Sequence, residues 1–559
     1  MKKILFVTSL ILMSCNQEKQ TEKILFEVPE VSLINEKKDL GEDVILDWHH
    51  KDVFEDTIPG LSLDKTFKYL ENNKINPKDT IIVAVLDTPI DIEHEDLKGR
   101  IWQNLNEVPN NNTDDDNNGY IDDHKGWNFL INKEGDQISY VNNESTRIVR
   151  KYRETFKDSA YIPKSQKDSS DFTLYKKALK LYDSQLDLAK EDTAYINMLY
   201  GLKKSAHENL SKYFPKLQYN IERLDSLSRK HPKDTLLQDD ILRVRNFIEY
   251  GITEDYLKNY EEIANNKFTK LLNFDYIERK SLDKLSNDIK DNIYGGNKVN
   301  QNLNLLTHGT VVAGAIAGNR DNTIGVRGVS NTIKIMPVCI SAVGEEHDKD
   351  IALGIRYAVD NGAKVINMSF GKKVSLYRKL VQDAIQYAND NEVLIVSSIG
   401  NENRLLNGSN EYPNGKIDSH KSFENFIHVG ASNFRINQKL KASFSNYSKE
   451  NVDVFAPGTR IKTLNPNNQY IEESGTSMAS ALVSGVAGLI WSYFPDITAK
   501  QMKEILIKTG ISYNINVEVK QNDGTKKLVP FSELSKSGKI VNAYNALLLA
   551  EQISKTKKQ

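Results

Sequence analysis

Unbroken or nearly unbroken apolar runs of strand length recur along this chain, at 81–86, 333–340 and 393–396. A short run of this kind predicts a strand buried on both faces, which is typical of a parallel sheet covered by helices. Two segments of small residues, 311–318 and 478–489, predict tightly packed helices. The pattern therefore predicts an α/β fold, with a mostly parallel sheet flanked by helices.

The segment from 133 to 295 differs sharply in composition, being rich in Lys, Asp, Glu, Leu and Tyr and poor in Gly. Apolar residues recur at helical spacing, at Tyr175, Ala178, Leu179, Tyr182, Leu186 and Ala189 and at Leu217, Ile221 and Leu224. Thr253 is placed to cap one helix just after Gly251 ends another. We expect an inserted all-α bundle of four or five long helices. It is either a stabilising decoration or a lid, exosite or partner-binding arm.

The N-terminus has the form of a secretion signal. Lys2 and Lys3 precede an apolar stretch, 4–13, that is too short to span a bilayer. Leu-Met-Ser-Cys at 12–15 resembles a bacterial lipobox, in which Cys15 is lipidated and becomes the first mature residue; the alternative is an ordinary signal cut nearby. We expect a signal peptide at 1–14, then the lipidated cysteine and a flexible spacer at 15–45. The protein would be anchored to a membrane of the bacterial cell envelope, on its periplasmic or cell-surface face.

Composition excludes some classes of partner. Lys and Arg number 74 and Asp and Glu 76, so no basic field favours nucleic acid. Beyond the signal, no apolar run approaches membrane-spanning length. The second cysteine, Cys339, lies in the run 333–340, where it reads as a small core residue.

Three candidate catalytic residues lie next to the predicted strands and helices. Asp87 ends the run 81–86, His308 precedes the helix at 311–318, and Ser477 precedes the helix at 478–489. A serine hydroxyl becomes a nucleophile when an imidazole, held by a buried carboxylate, takes its proton. Taken singly, Asp87 is typical of a turn or cap, His308 of a histidine without a special function, and Ser477 of a helix N-cap. Asn401, after the run 393–396, offers a side-chain amide that could hold an oxyanion together with the Ser477 N–H.

The four contexts, Asp-Thr after a strand, His-Gly-Thr, Gly-Asn after a strand and Gly-Thr-Ser-Met-Ala, resemble the subtilisin-like serine protease (subtilase) family. The resemblance implies that Asp87 orients, His308 is the general base, Ser477 is the nucleophile and Asn401 is the oxyanion donor. It implies a serine endopeptidase that cleaves protein or peptide substrates through an acyl-enzyme and needs no cofactor for catalysis. Together with the N-terminal signal and Cys15, this gives the expectation of a secreted, membrane-tethered enzyme.

The likeness divides the chain around the insertion. It covers roughly 46–130 and 296–510, which gives a first catalytic part at 46–132, the helical insertion at 133–295 and a second catalytic part at 296–550. A charged tail follows at 551–559. Asp87 and His308 are brought together only if the insertion leaves the core and returns to it, near the entrance at His308.

Substrate-binding residues are also implied by the resemblance. The stretch 366–371 looks like the family's edge strand, where substrate pairs by backbone. The implied contacts are Ser369, Phe370 and Gly371, with Ser398, Ile399 and Gly400 as one wall of the pocket for the side chain preceding the cut. Ile399 favours an apolar or modest-sized side chain there.

Three departures from the family pattern leave an alternative open. Pro89 replaces the glycine after Asp-Thr, and Val311 and Ala481 replace a histidine and a proline. The alternative is a catalytically silent subtilisin-like lipoprotein whose insertion binds an envelope partner, and Pro89 is its best support. A dedicated maturation protease with a single protein substrate is a third reading.

An acidic loop precedes the insertion. Its oxygens follow the 1, 3, 5 spacing of a calcium loop, with Gly119 at the sixth position and Lys125 where an EF-hand has glutamate. The predicted structural Ca²⁺ site comprises Asp114, Asp116, Asn118, Tyr120 and Asp122. The alternative is an Asx-rich turn without an ion.

Overall fold

In the computed structural model, the apolar runs form one ten-stranded sheet. Its strands are β1 (Glu30–Val31), β2 (Ile81–Asp87), β3 (Trp127–Asn128), β4 (Ile333–Cys339), β5 (Val365–Met368), β6 (Leu394–Ser398), β7 (Phe426–Ser432), β8 (Val454–Pro457), β11 (Ile511–Tyr513) and β14 (Lys539–Ile540). Their order is β1-β11-β14-β8-β7-β6-β5-β2-β4-β3. Neighbours from β14 to β3 run parallel. The predicted α/β class is confirmed.

Helices and two hairpins surround this sheet. The hairpins pair β9 (Ile461–Asn465) with β10 (Gln469–Glu473) and β12 (Asn516–Lys520) with β13 (Lys526–Pro530). The α-helices are α1 (Leu63–Asn72), α2 (Glu144–Phe156), α3 (Gln166–Leu210), α4 (Ile221–Lys230), α5 (Thr235–Glu249), α6 (Glu254–Asn266), α7 (His308–Ala317), α8 (Asp348–Asp360), α9 (Arg378–Asp390), α10 (Thr476–Tyr493), α11 (Ala499–Lys508) and α12 (Ala543–Lys557).

The structure describes residues 28–31, 41, 45–158, 160–282, 288–290, 294–406, 411–418, 421–521 and 523–557. The predicted signal peptide at 1–14 and Cys15 lie outside the described residues, as does most of the predicted spacer. Within the described ranges, no helix is both long and apolar enough to cross a bilayer.

Both faces of the sheet are buried, because alternate residues of β2 enter different apolar clusters. Val83 and Val85 pack with α7 and α10 on one face, and Ala84 and Leu86 pack with α8 and α9 on the other. Successive strand side chains point to opposite faces, so a strand covered on both sides must be apolar throughout. This is why the run 81–86 has no polar residue.

Strand register aligns the ends of three neighbouring strands. Leu86 pairs with Met368, and Met368 pairs with Ser397. The next residues of β2, β5 and β6, which are Asp87, Ser369 and Ser398, therefore lie in one row at the carboxyl edge. Binding sites of open α/β sheets lie at this edge.

Among its described residues the insertion contributes five α-helices, α2 to α6, of which only α3, with 45 residues, is long. The expectation of four or five long helices is thus met in number and not in length. Helices α5 and α6 pack against α3. The Thr253 hydroxyl accepts a hydrogen bond from the Tyr256 N–H, so the predicted cap is confirmed. The helical spacing predicted from Leu217 is wrong, because Leu217 has a φ of 48° in a turn and α4 starts at Ile221.

The structure orders parts of the predicted flexible spacer and of the predicted charged tail. Residues Glu30–Val31 of the predicted spacer pair in parallel with β11, and Val31 is 2% exposed. The predicted tail at 551–559 continues α12 as far as Lys557, where Ser554 is buried and donates to Asp496. In each case an apolar or hydroxyl contact with the core orders a stretch whose composition alone is hydrophilic.

Candidate active site

Asp87 ends β2 with 2% of its side chain exposed. One carboxylate oxygen accepts a hydrogen bond from the Thr88 N–H at 2.7 Å and lies 2.8 Å from His308 Nδ1, and the other oxygen lies 3.0 Å from the same nitrogen. A neutral imidazole whose Nδ1 faces a carboxylate carries its proton there. Nε2 is then left as the basic nitrogen, which is the tautomer that a general base requires.

His308 is the first residue of α7, and its side chain is 40% exposed. Burial lowers the pKa of His308, but the charge of Asp87 and the hydrogen bond to it outweigh burial and raise that pKa above the ordinary 6.5. Glu473 and Glu346 raise it further. The imidazole therefore accepts a proton more readily than a free histidine does.

The start of α7 lies directly against the turn that follows Asp87. A Cβ on Gly309 would fall 2.2 Å from the Thr88 carbonyl oxygen, so only glycine allows this approach. The Gly309 N–H also donates to the Thr88 hydroxyl at 2.8 Å. Pro89 is accommodated in the same turn without separating Asp87 from His308. The best support for the catalytically silent alternative is therefore removed.

Ser477 is the second residue of α10 and is 9% exposed. Its hydroxyl donates to the Ser369 carbonyl at 3.2 Å, and the Ser369 hydroxyl donates to the Ser477 carbonyl at 3.3 Å. No hydrogen bond joins Ser477 to His308 among those of the described residues. Catalytic hydrogen bonds are often long without substrate and tighten when it binds, so rotation of the hydroxyl would have to precede proton transfer.

Asn401 follows β6, and its side-chain oxygen accepts hydrogen bonds from the N–H and the hydroxyl of Thr476, both at 2.9 Å. Because a backbone N–H can only donate, the atom facing it is the amide oxygen, and Nδ2 is directed elsewhere. A Cβ on Gly475 would lie 3.6 Å from both Asn401 Nδ2 and the Ser477 nitrogen. The two donors thus border one small space beside the serine, as an oxyanion hole requires.

The segment after β5 differs from the expected edge strand. β5 lies inside the sheet, between β6 and β2, and Ser369, Phe370 and Gly371 follow its end. Lys372 forms two backbone hydrogen bonds with Tyr412, each of 2.8 Å. Since backbone groups alternate sides in extended chain, those of Ser369 and Gly371 face away from Tyr412. The segment leaves the sheet and offers one edge to an extended peptide.

The residues of the expected pocket wall, Ser398, Ile399 and Gly400, lie at and just after the end of β6. Ile399 is 2% exposed and packs in the apolar cluster around Phe455 and Phe531. The Gly400 N–H donates to the Thr476 hydroxyl at 3.2 Å, and Gly400 has a φ of 96°. Ile399 also lines a cavity together with Leu406 and Phe426, so the preference for an apolar substrate side chain stays a prediction. Ser398 and the Gly400 backbone remain at the sheet edge.

The acidic loop brings together a set of oxygens that differs from the predicted one. Carboxylate oxygens of Glu107, Asp114 and Asp116 lie within 4.8 Å of one another. Glu107 is 4% exposed, and its Oε2 is buried without a hydrogen-bond partner among the described residues. Asp122 instead accepts from the N–H groups of residues 111 and 112, and the Tyr120 ring is buried against Trp127 and Tyr357. Asn118 stays beside Asp116, to which its amide donates at 3.2 Å.

Sequence reasoning missed a buried ionic cluster beside residues 369–371, the proposed substrate segment. The Lys372 ammonium is 0% exposed, donates to the Glu346 carbonyl at 2.7 Å, and lies 2.8 Å from Asp348 and 3.2 Å from Glu144. Burial lowers the pKa of Lys372, but Asp348 and Glu144 outweigh burial and raise it. Buried lysines are rare without such partners, and the only sequence signal was an acid opening each of α2 and α8.

Comparisons with known proteins bear on this arrangement. The model of the subtilase family matches residues 78–534. The cell wall-associated protease of Bacillus subtilis (strain 168) is 35% identical over 229 residues, which are 40% of this chain and 23% of that protein. Subtilisin DY of Bacillus licheniformis is 34% identical over 203 residues, which are 36% of this chain and 69% of that protein. A solved protease structure from Pseudoalteromonas arctica PAMC 21717 is 29% identical, with a TM-score of 0.35, and the match covers 44% of this chain and 70% of that one. The chain thus spans less than a quarter of the first relative's length and about two thirds of the second's.

Proposed function

This chain belongs to the subtilase family, and from that membership we propose that it is a serine endopeptidase with Asp87, His308 and Ser477 as its catalytic triad. The observation that carries the proposal is the pair of short contacts between His308 Nδ1 and the buried Asp87 carboxylate. A buried aspartate in this position holds the base in its working tautomer and stabilises the imidazolium that forms.

The proposed reaction is acyl transfer to water. A peptide pairs along Ser369 and Gly371, and Ser477 Oγ attacks the scissile carbonyl carbon as His308 Nε2 takes its proton. The resulting oxyanion accepts hydrogen bonds from Asn401 Nδ2 and the Ser477 N–H. The C–N bond then breaks, His308 protonates the leaving amine, and water repeats the sequence to release the acid and regenerate the hydroxyl.

A fluorophosphonate probe tests this assignment, because it phosphonylates activated serine hydroxyls. We expect wild type to be labelled and to cleave casein, and Ser477→Ala to do neither, with kcat reduced about 10⁶-fold. The exposed Ser474, three residues earlier, gives a matched control, since Ser474→Ala should be labelled like wild type. Labelling of Ser477→Ala would place the nucleophile elsewhere. A wild type that is neither labelled nor active would favour the silent, partner-binding alternative.

We propose that Glu107, Asp114 and Asp116 bind a structural Ca²⁺. The set fits the ion because Ca²⁺ takes several carboxylate oxygens, mono- or bidentate, and because the buried Glu107 Oε2 has no hydrogen-bond partner within the described part of the chain. The ion would hold the loop before the insertion and would take no part in peptide cleavage.

We also propose that the chain is exported to the bacterial cell envelope and tethered there by lipid on Cys15. The support is the sequence of residues 2–15, in which lysines, a short apolar stretch and a cysteine follow one another. Cells grown with an alkyne-tagged fatty acid should yield labelled wild type and unlabelled Cys15→Ser protein. Equal labelling of both would exclude this tether.

A further inference from the structure

The side chain of Lys441 is buried close to the loop that carries the proposed oxyanion donor. Lys441 is 3% exposed. Its ammonium donates to the side-chain oxygen of Asn403 at 3.0 Å and to the carbonyls of Ala442 at 2.8 Å and Ser445 at 3.0 Å. Within the described part of the chain, no carboxylate lies at ion-pair distance from this ammonium. A lysine ammonium has three donors and no acceptor, so three neutral oxygens satisfy it.

This ammonium lies where two segments meet. The first is the oxyanion loop, residues 399–404, and the second is the 442–447 segment. The Asn446 N–H donates to the Gly400 carbonyl at 3.1 Å, and the Asn446 side-chain oxygen accepts from the Arg404 N–H at 3.1 Å. These bonds lie on either side of the proposed oxyanion donor in the chain. The position of that donor therefore depends on how the loop is held against the second segment.

Asn403 is the residue of the oxyanion loop that the ammonium contacts. It lies two residues after Asn401 and has a φ of 51°, in the left-handed region that asparagine and glycine tolerate best. Its N–H donates to the Phe444 carbonyl at 2.7 Å, and its side-chain oxygen accepts from Lys441. Backbone and side chain of Asn403 are thus both tied to the 442–447 segment, and removal of the ammonium would release one of the two ties.

We propose that Lys441 is a positioning residue for peptide cleavage, because its ammonium joins the oxyanion loop to the 442–447 segment and so keeps Asn401 beside Ser477. This role rests on the proposed protease function, and it adds a protonated amine outside the triad to the groups that cleavage requires. Lys441 itself does not touch the reacting atoms. A displacement of about 1 Å in an active site can cost about a hundredfold in rate, so a loosened tie two residues from the donor should lower kcat.

The surroundings of Lys441 make its charge sensitive to pH. Burial lowers the pKa of Lys441 to about 7, and the charge of Glu518 in β12 offsets this only in part. Among the described residues, the contacts from the oxyanion loop and from the 442–447 segment are neutral: the amide of Asn403, two carbonyls and the Tyr447 ring, whose centre lies 5.7 Å away. A neutral amine has two N–H groups, so loss of the proton leaves one of the three oxygens without its donor.

Asn403→Asp tests this role through the pH profile of kcat. The variant keeps the shape of the side chain and places a carboxylate against the ammonium, which raises the pKa of Lys441. In wild type we expect kcat to fall about fivefold as pH rises through neutrality, the size of one net hydrogen bond. In Asn403→Asp that fall should occur about one pH unit or more higher. A fall at the same pH in both proteins, or no fall in wild type, overturns the proposed role.

Lys441→Met tests it through the split between kcat and KM, because methionine has a similar length and no donor. In the full-length protein we expect kcat to fall about tenfold or more and KM to change less than about twofold, since the proposed substrate segment, residues 369–371, is untouched. Lys439→Met is the matched control at an exposed lysine two positions earlier, and it should keep the wild-type kcat. A thermal melt shows that each variant is folded at the assay temperature.

Asn403→Gly keeps the test decisive if Lys441→Met does not fold. Glycine adopts the positive φ of this position, and the change removes only the oxygen that the ammonium contacts, so kcat should fall in the same direction. Wild-type kcat in a folded Lys441→Met or in Asn403→Gly overturns the role of Lys441 and leaves the protease proposal intact. Absence of both fluorophosphonate labelling and cleavage in wild type overturns the two proposals together.

Discussion

Asp87 Oδ1 lies 2.8 Å from His308 Nδ1, and in the proposed mechanism this pair sets the dependence of activity on pH. The base works as neutral imidazole, and Asp87 raises the pKa of His308 above 6.5. Activity should therefore be lost as pH falls through a value above 6.5. In Asp87→Asn the residual activity, reduced about 10⁴-fold, should be lost at lower pH because the stabilising charge is gone. The test is the kcat/KM of wild type and of Asp87→Asn measured against pH. Loss of activity at the same pH in both proteins would contradict the assignment.

The raised pKa of His308 also affects the stability of the fold, and this effect has the opposite dependence on pH. A group whose pKa is raised by folding stabilises the fold fully below its unfolded value, here 6.5, and that contribution disappears as pH rises through the folded value. His308 is 40% exposed, so solvent weakens this contribution. The pH at which His308 favours folding is thus the pH at which it is inactive as a base.

Gly475 lies beside both proposed oxyanion donors. Its φ of 178° suits any residue, and an added Cβ would contact Asn401 Nδ2 and the Ser477 nitrogen at 3.6 Å without a clash. Gly475→Ala should therefore fold normally and lose about 10²–10³-fold in kcat, as when one oxyanion donor is removed. Peptide kinetics and a thermal melt test this. Gly201→Ala is the control, since nothing lies within 4 Å of its Cβ, and it should leave kcat unchanged. Wild-type kcat in Gly475→Ala would show that the oxyanion lies elsewhere.

At the scale of elements, buried ion pairs connect the insertion to the rest of the fold. Glu144 opens α2, Asp348 opens α8, and both contact Lys372, the residue after the substrate segment. Burial alone would raise the pKa of Glu144, but Lys372 and Arg147 lower it. Any movement of α2 relative to the core would separate these charges in a medium of low dielectric constant. The geometry of Gly371 and its neighbours therefore depends on the insertion.

Glu144→Ala leaves Lys372 with one carboxylate fewer in a fully buried site. We expect a loss of about 3–5 kcal/mol in the free energy of unfolding and a raised KM, because the substrate segment loses its support. Urea denaturation and peptide kinetics measure the two effects. Glu154→Ala, on the exposed face of the same helix, should change the free energy of unfolding by less than about 0.5 kcal/mol. Equal stability of the two variants would contradict this account.

At the scale of the whole molecule, the insertion with helices α2 to α6 lies between β3 and α7 in the chain. The loop containing Glu107, Asp114 and Asp116 lies just before that departure. Calcium bound there would stabilise the folded chain without touching the catalytic edge of the sheet. Binding at 100 times the dissociation constant stabilises a fold by about 2.7 kcal/mol.

Removal of calcium tests this directly. A chelator should lower the melting temperature of wild type, and added Ca²⁺ should restore it. Glu107→Gln should lose most of this calcium-dependent shift, because it removes a carboxylate whose free oxygen faces the cluster. Asp122→Asn should keep the shift, since Asp122 bonds to the backbone of residues 111 and 112. A shift lost in Asp122→Asn and kept in Glu107→Gln would restore the set predicted from sequence spacing.

The sequence by itself determined the elements and the local setting of each reactive residue. The run 81–86, the small-residue helices and the capping by Thr253 were readable because apolar periodicity and caps act over a few residues. The family resemblance suggested the roles that we propose for Asp87, His308, Ser477 and Asn401. Only the tertiary structure decided where Ile399 points, that Glu107 joins Asp114 and Asp116, and that Lys372 binds Glu144 of the insertion. Those contacts depend on how distant segments pack, and a buried charge carries no local pattern that names its partner. The helical insertion was visible as composition, but its buried contact with Lys372 exists only because α2 packs against the core.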